Sequence, residues 1–310
     1  MSKPTVAIHT EDLSKRYKEI TAVEGMSVSV YRGEVFGLLG PNGAGKTTTI
    51  SMLLGLVRPT SGGATVLGYD MRTHPSAALR RVGALVEAAF YPYLSARENL
   101  WVMAQMSGGV ASERIDAMLD RVGLLARASS AVRTFSLGMK QRLGLAAALV
   151  HDPELLILDE PTIGLDPAGM IEIRELILRL AKEEGKTVFL SSHLLHEVEQ
   201  VCDRVLILQQ GRTIACGRVD ELLGQGGWIE VRVARATEAA VVLEALEWVA
   251  GVQLREDVLY VDAPVERAAD LTAALAAHGL YLSGLQVQDR SLESYFLDVT
   301  EGQPGTSSGG

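Results

Sequence analysis

Cysteine is scarce in this chain of 310 residues: Cys202 and Cys216 are the whole supply. Their spacing fits neither a metal site nor a disulfide framework, which excludes the small bridged domains of secreted proteins and reads as two reduced thiols. Long apolar runs are also missing. The longest, such as residues 143–150, fall far short of the roughly 18 residues needed to cross a bilayer. The N-terminus lacks a charged-then-apolar signal pattern, because Thr5-Val6-Ala7-Ile8 already reads as a first strand. Positive charge is in deficit, with 29 Lys and Arg against 38 Asp and Glu and a net charge of -9. That balance argues against nucleic acid as a partner bound through a broad basic surface. A membrane role would therefore run through another chain.

What is present is an ordinary folded composition, 47% hydrophobic and 22% charged, sufficient for a sizeable core. Up to residue 223 strand-like runs alternate with helical patterns, the mark of an α/β fold with a largely parallel sheet. Val35 to Leu39, Leu155 to Leu158, Thr187 to Leu190 and Val205 to Leu208 read as buried central strands. Gln209-Gln210-Gly211-Arg212 reads as a hairpin turn. Residues 88–150 are mostly helical, with Ser95 and Glu98 spaced as a capping box. Gly224-Gln225-Gly226-Gly227 reads as a hinge. Residues 228–300 then follow the order strand, helix, strand, strand, helix, strand, which predicts a small α+β ferredoxin-like domain. Residues 301–310 are Gly/Ser-rich and read as a disordered tail.

Gly40-Pro41-Asn42-Gly43-Ala44-Gly45-Lys46-Thr47 fits G-x-x-x-x-G-K-[ST], between an apolar strand and a helical stretch over 48–56. Glycines let backbone N–H groups curl around phosphate oxygens, and the helix start adds partial positive charge. In that context Asn42, Gly43, Ala44, Gly45, Lys46, Thr47 and Thr48 bind nucleotide. Lys46 reaches the β- and γ-phosphates and the Thr47 hydroxyl sits on Mg²⁺. The strand ending in Asp159-Glu160 supplies the other half. Asp159 is placed to hold Mg²⁺ through water, and Glu160 to polarise an attacking water as general base. Together these motifs describe an ATPase or GTPase.

The stretch Phe135-Ser136-Leu137-Gly138-Met139-Lys140-Gln141-Arg142 narrows the choice. It resembles the signature of ABC ATPases, whose common form is Leu-Ser-Gly-Gly-Gln. The resemblance covers residues 5–223 and implies a P-loop NTPase with a RecA-like core, an antiparallel β subdomain and a helical subdomain. It further implies that Tyr17 stacks on adenine, although an edge-strand tyrosine is the alternative. Gly164, Leu165 and Asp166 resemble the D-loop that joins two subunits, and His193 the switch histidine that contacts the γ-phosphate. In the family the signature, here Ser136, Leu137, Gly138 and Met139, completes the ATP site of another subunit. One copy of each motif thus implies a homodimer, or a heterodimer with a related ATPase, around two ATP molecules.

The sequence also departs from the family's pattern. Glu87 stands where a Q-loop glutamine is usual, as a carboxylate able to approach Mg²⁺, and Leu137 and Met139 replace the usual Gly and Gln. Glu87 with Phe90-Tyr91-Pro92-Tyr93-Leu94 resembles a bacterial subgroup that includes bacitracin-type export ATPases, some with a C-terminal extension like residues 228–300. That extension serves dimer support or regulation in this reading. The following helical segment resembles the surface that takes a permease's coupling helix, with Phe90, Tyr91, Tyr93 and Trp101 as lining or as core. The expected protein is an ATP-hydrolysing subunit on the cytoplasmic face of the membrane that powers an ABC permease on a separate chain, with export as the expected direction. An ABC ATPase that drives a non-transport membrane complex or a soluble assembly such as a ribosome is the other class. Against the soluble one stand the single ATPase domain and the acidic charge.

Overall fold

The computed structural model describes residues 5–86, 89–223, 228–255, 257–288, 291–293 and 295–296. Two long strands open the chain, β1 (Val6–Tyr17) and β2 (Ile20–Tyr31). They pair antiparallel around Lys18, whose positive φ of 51° closes the turn. The short, fully buried β3 (Val35–Leu39) runs into the glycine-rich loop and α1 (Lys46–Leu53). Next come β4 (Ser61–Val66), β5 (Tyr69–Asp70), α2 (Pro75–Leu79) and β6 (Val82–Leu85). Three helices follow: α3 (Ala96–Met106), α4 (Ser112–Arg121) and α5 (Leu137–Leu149). Both halves of the Ser95/Glu98 capping box are formed at the start of α3.

The chain then returns to strands through β7 (Leu155–Asp159), α6 (Pro167–Lys182), β8 (Thr187–Ser192), α7 (Leu195–Glu199), β9 (Arg204–Gln209) and β10 (Arg212–Arg218). The strands make a six-stranded sheet in the order β10-β9-β3-β8-β7-β6. Five of them run parallel, and β10 is the antiparallel edge. Continuous apolar runs suit strands covered on both faces; Phe36 and Phe189, adjacent on β3 and β8, stack with centroids 5.8 Å apart. A second, antiparallel sheet takes the order β2-β1-β4-β5. Its buried face (Ile8, Leu13, Val28, Val66) shares one core with α1 and the central strands. Gln210 and Gly211, both at positive φ (49° and 81°), turn β9 into β10, the backbone that a two-residue hairpin requires.

The described residues divide into two compact units at Arg218/Val219. This is one short helix earlier than the expected limit at 223, since α8 (Val219–Leu223) groups with the second unit. The Gly224–Gly227 hinge and the 301–310 tail lie outside the described residues. In the second unit β11 (Trp228–Val233), α9 (Ala236–Glu244), β12 (Gly251–Arg255), β13 (Val258–Asp262), α10 (Ala268–Ala277) and β14 (Leu282–Gln288) form an antiparallel sheet in the order β12-β13-β11-β14. Alternation along β11 sends Ile229, Val231 and Val233 into a core with Leu243 of α9 and Leu271 and Leu275 of α10. This is the connectivity of a split βαβ unit.

Candidate functional site

Strand register assembles the site. Leu39, the last residue of β3, pairs with Ser192 of β8, and Asp159 at the end of β7 pairs with Ser191. Three chain segments far apart in sequence therefore leave the sheet side by side at its C-terminal edge, where open parallel sheets bind ligands. They are the glycine-rich loop, the Asp159-Glu160 pair and the turn that carries His193.

The loop is shaped by contacts that only glycine permits. At Gly40 (φ 153°) a Cβ would lie 2.3 Å from the Leu208 carbonyl oxygen, and at Gly45 (φ 109°) 2.3 Å from that of Ala22. So β9 and β2 press the loop from two sides and fix its curl. Lys46 is 6% exposed, and its ammonium donates to the carbonyl oxygens of Gly40 (2.7 Å) and Pro41 (3.2 Å). Its Nζ also lies 3.2 Å from Glu160 Oε1. The other Glu160 oxygen, Oε2, is 2.8 Å from His193 Nδ1.

Glu160 takes a positive φ of 49°, a conformation that costs a residue with a side chain about 1–3 kcal/mol and persists only where its surroundings enforce it. They do so here. Its N–H donates to Ser191 Oγ at 3.0 Å, and its carbonyl oxygen accepts from Gln141 Nε2 at 3.1 Å. The Thr47 hydroxyl donates to Asp159 Oδ2 at 2.8 Å, and the Ser191 hydroxyl donates to Asp159 Oδ1. A hydroxyl and a carboxylate held this close are the hard oxygen donors that Mg²⁺ accepts, usually beside water and phosphate oxygens. The residues present fit that ion and a polyphosphate.

Asn42, Gly43, Gly45, Lys46, Thr47, Thr48 and Glu160 line one open cleft, together with Ile20, Thr21, Ala22 and Gln210. Ala44 is buried under the loop, where its carbonyl oxygen accepts from Gly211 N–H. Tyr17 does not line this cleft; it is 45% exposed at the end of β1, with the Lys15 ammonium 4.8 Å from its ring centre. Its cross-strand partner Ile20 does line the cleft.

A second recess holds the signature residues Ser136, Gly138 and Met139 beside Gly164, Leu165 and Asp166. Ser136 caps α5, its Oγ accepting from Met139 N–H at 3.2 Å, and Asp166 caps α6 by accepting from Gly169 N–H at 3.1 Å. The two stretches interlock. A Cβ on Gly164 (φ 75°) would lie 2.3 Å from Leu137 Cδ2, and one on Gly138 would lie 3.0 Å from Leu165 Cδ2. Leu137 itself is 60% exposed. Glu87 lies outside the described residues.

A groove beyond the β6 edge is lined by Phe90, Met103 and Met106 on one side and by Gly144, Ala147 and Ala148 of α5 on the other. Of the four aromatic residues of this region, Phe90 lines it, while Tyr91, Tyr93 and Trp101 stand exposed elsewhere on the surface. Sequence reasoning missed Ser191, Gln141 and the β2 residues of the cleft. Ser191 carried a signal, as a polar residue at the end of a buried strand two places before His193. Gln141 and Ala22 carried none, because their contacts depend on elements far away in the chain.

Comparison with known proteins agrees with this geometry. Residues 23–163 match the ABC transporter family. The bacitracin transport ATP-binding protein BcrA of Bacillus licheniformis is 40% identical over 298 residues, covering 95% of this chain and 97% of that protein. The linearmycin resistance ATP-binding protein LnrL of Bacillus subtilis (strain 168) is 42% identical over 305 residues, covering 94% and 98%. A solved structure of the ATP-binding subunit of an ABC transporter, 34% identical, superposes on 70% of this chain and 92% of its own with a TM-score of 0.64. No helix among the described residues is long and apolar enough to cross a membrane, and ATP-binding subunits of this kind work with membrane permeases. With its glycine-rich loop, paired acids and signature in one unit, and relatives matched over nearly its whole length, the chain belongs to the ATP-binding proteins of ABC transporters, which are ATPases.

Proposed function

We propose that two ATP-binding subunits, two copies of this chain or this chain and a related ATPase, close around two ATP molecules and so drive a permease on a separate chain. The subunit is then held peripherally at the cytoplasmic face of the membrane. The observation that carries the reading is the convergence of Lys46, Thr47, Asp159, Glu160 and His193 on one cleft, while Ser136 and Gly138 face a different recess. One chain thus offers two unlike half-sites, and a two-fold pair joins each cleft to the other chain's recess. Tyr17 stacks on adenine at the cleft's end, Leu137 and Met139 flank the signature contacts, Gly164 to Asp166 meet the partner, and Glu87 approaches the metal.

The chemistry follows from the contacts. The triphosphate takes over the Lys46 ammonium, which releases Glu160 Oε1. Thr47, and Asp159 through water, would hold Mg²⁺, which would supply charge neutralisation to the phosphates. Glu160 accepts a proton from a water whose oxygen attacks the γ-phosphorus, and the bond to the β–γ bridging oxygen breaks to leave ADP and phosphate. His193 orients Glu160 and contacts the γ-phosphate. Export is the direction supported by the names of the bacitracin and linearmycin relatives.

The test is a pull-down of the tagged protein from native membranes in mild detergent, with ATP hydrolysis measured on the recovered complex. A polytopic membrane protein in stoichiometric amount is expected. Recovery of soluble partners alone would overturn the transport reading and leave the ATPase standing.

A further inference from the structure

The signature recess holds a cation that the family's motif does not account for. Arg127 lines it together with Ser136, Gly138 and Met139. The short 3₁₀ turn Leu125–Arg127 carries the residue. Two contacts fix the guanidinium beside the signature: it lies 5.9 Å from the ring centre of buried Phe135, and its Nε donates to Ser130 Oγ at 3.1 Å. An arginine at that distance over an aromatic face is attracted to it and restrained.

The other charges of the recess are committed. Arg142 pairs with Glu172 at 2.6 Å, and Asp166 is used in capping α6. No carboxylate among the described residues pairs with Arg127. Its charge is exposed, positioned and available, in a recess where Met139 offers a thioether in place of the amide that the signature usually carries.

We infer that Arg127 binds a phosphate oxygen of the ATP held in the partner subunit's cleft, supplying across the interface the polar contact that Met139 cannot make. This rests on the two-chain reading above. A guanidinium presents a planar fork of donors suited to phosphate, and such charge-assisted bonds exceed neutral ones in strength. Arg127 does not line the cleft of its own chain, so the contact exists only when two subunits and ATP come together.

The test uses the purified chain with the Glu160→Gln change, saturating ATP and Mg²⁺, and analytical ultracentrifugation to measure dimer dissociation. Arg127→Met keeps the stem over Phe135 and removes the charge; Arg127→Lys keeps the charge. The expected result is a dimer weakened about 10- to 100-fold by the Met change and clearly less by the Lys change. ADP binding to the monomer serves as the folding control and stays as in the parent. Equal dimer affinity for the Met variant and the parent overturns the inference, as does an equal loss in both variants with ADP binding intact. If the Glu160→Gln parent itself forms no ATP-dependent dimer, the two-chain reading has failed, and the inference with it.

Discussion

Lys46 Nζ and Glu160 Oε1 lie 3.2 Å apart, with side chains 6% and 18% exposed. The cation placed for phosphate and the carboxylate placed for water neutralise each other. Both side chains are largely buried, and either charge left uncompensated there would be costly. ATP must therefore displace an internal ion pair as well as water.

Removing the cation should be severe on both counts. Lys46→Ala deletes a charged phosphate contact and leaves Glu160 facing the triphosphate without its counter-charge. The expected result is a loss of ATP affinity of about 100-fold or more, read by titration with a fluorescent ATP analogue. Unchanged affinity would refute the role given to Lys46.

Thr47→Ala separates metal from nucleotide. The hydroxyl that donates to Asp159 at 2.8 Å is lost, while the loop backbone around the phosphates stays. The Mg²⁺ concentration for half-maximal hydrolysis should rise about tenfold or more. Binding of ATP in chelator should change little, and a Mg²⁺ titration of the steady-state rate checks the difference.

A third expectation concerns acid. Glu154 accepts from Arg81 and Arg32 and joins the start of β7 to the β2–β3 turn and to the residue before β6. The Arg81 hydrogen bonds come first among the causes that lower its pKa from 4.5 to about 2. Because the folded value is the lower one, the ionised Glu154 contributes stability in full above about pH 4.5, and this is lost as pH falls through about 2. The group is 42% exposed, so solvent screening keeps the contribution small. Glu154→Gln should lower the urea midpoint at pH 7 and make progressively less difference toward pH 2.

Asn99 tests the helical part. Only 1% exposed, its amide accepts from Tyr91 N–H at 2.8 Å and donates to the carbonyl oxygens of Tyr91 (3.1 Å), Leu94 (3.3 Å) and Ser95 (2.9 Å). One side chain thereby ties the turn before α3 to that helix. Asn99→Ala orphans these groups and should cost about 2–4 kcal/mol. Hydrogen exchange would show it as lost protection at the Tyr91 amide, with the Lys46 cleft unaffected.

How legible the site was depended on whether its parts are contiguous. Gly40 to Thr47 forms its own cradle, so its role could be read from spacing; so could that of Asp159-Glu160 at a strand end. Ser191 was invisible as a partner of Asp159 because that contact follows from the pairing of β7 with β8. The fit of Ala22 against Gly45 depends likewise on how two sheets meet. The helix lengths missed for a different reason. For the α1 region, Gly55 at φ 68° sets the limit, so the helix stops short of the expected Leu56.

Helix α5 has the signature recess at its first turn and the Phe90–Met106 groove along its last. Gly83 lets that last turn lie directly on β6: a Cβ there would sit 2.0 Å from the Ala148 carbonyl oxygen. Its 13 residues make a rod about 20 Å long, in close contact with the sheet at its C-terminal end. A tilt of about 6° would swing Ser136 by about 2 Å, enough to make or break a hydrogen bond. Were the helix to tilt as one body, a small displacement at the groove would be enlarged at the signature, and Leu137 and Gly138 would have to slide against Gly164 and Leu165.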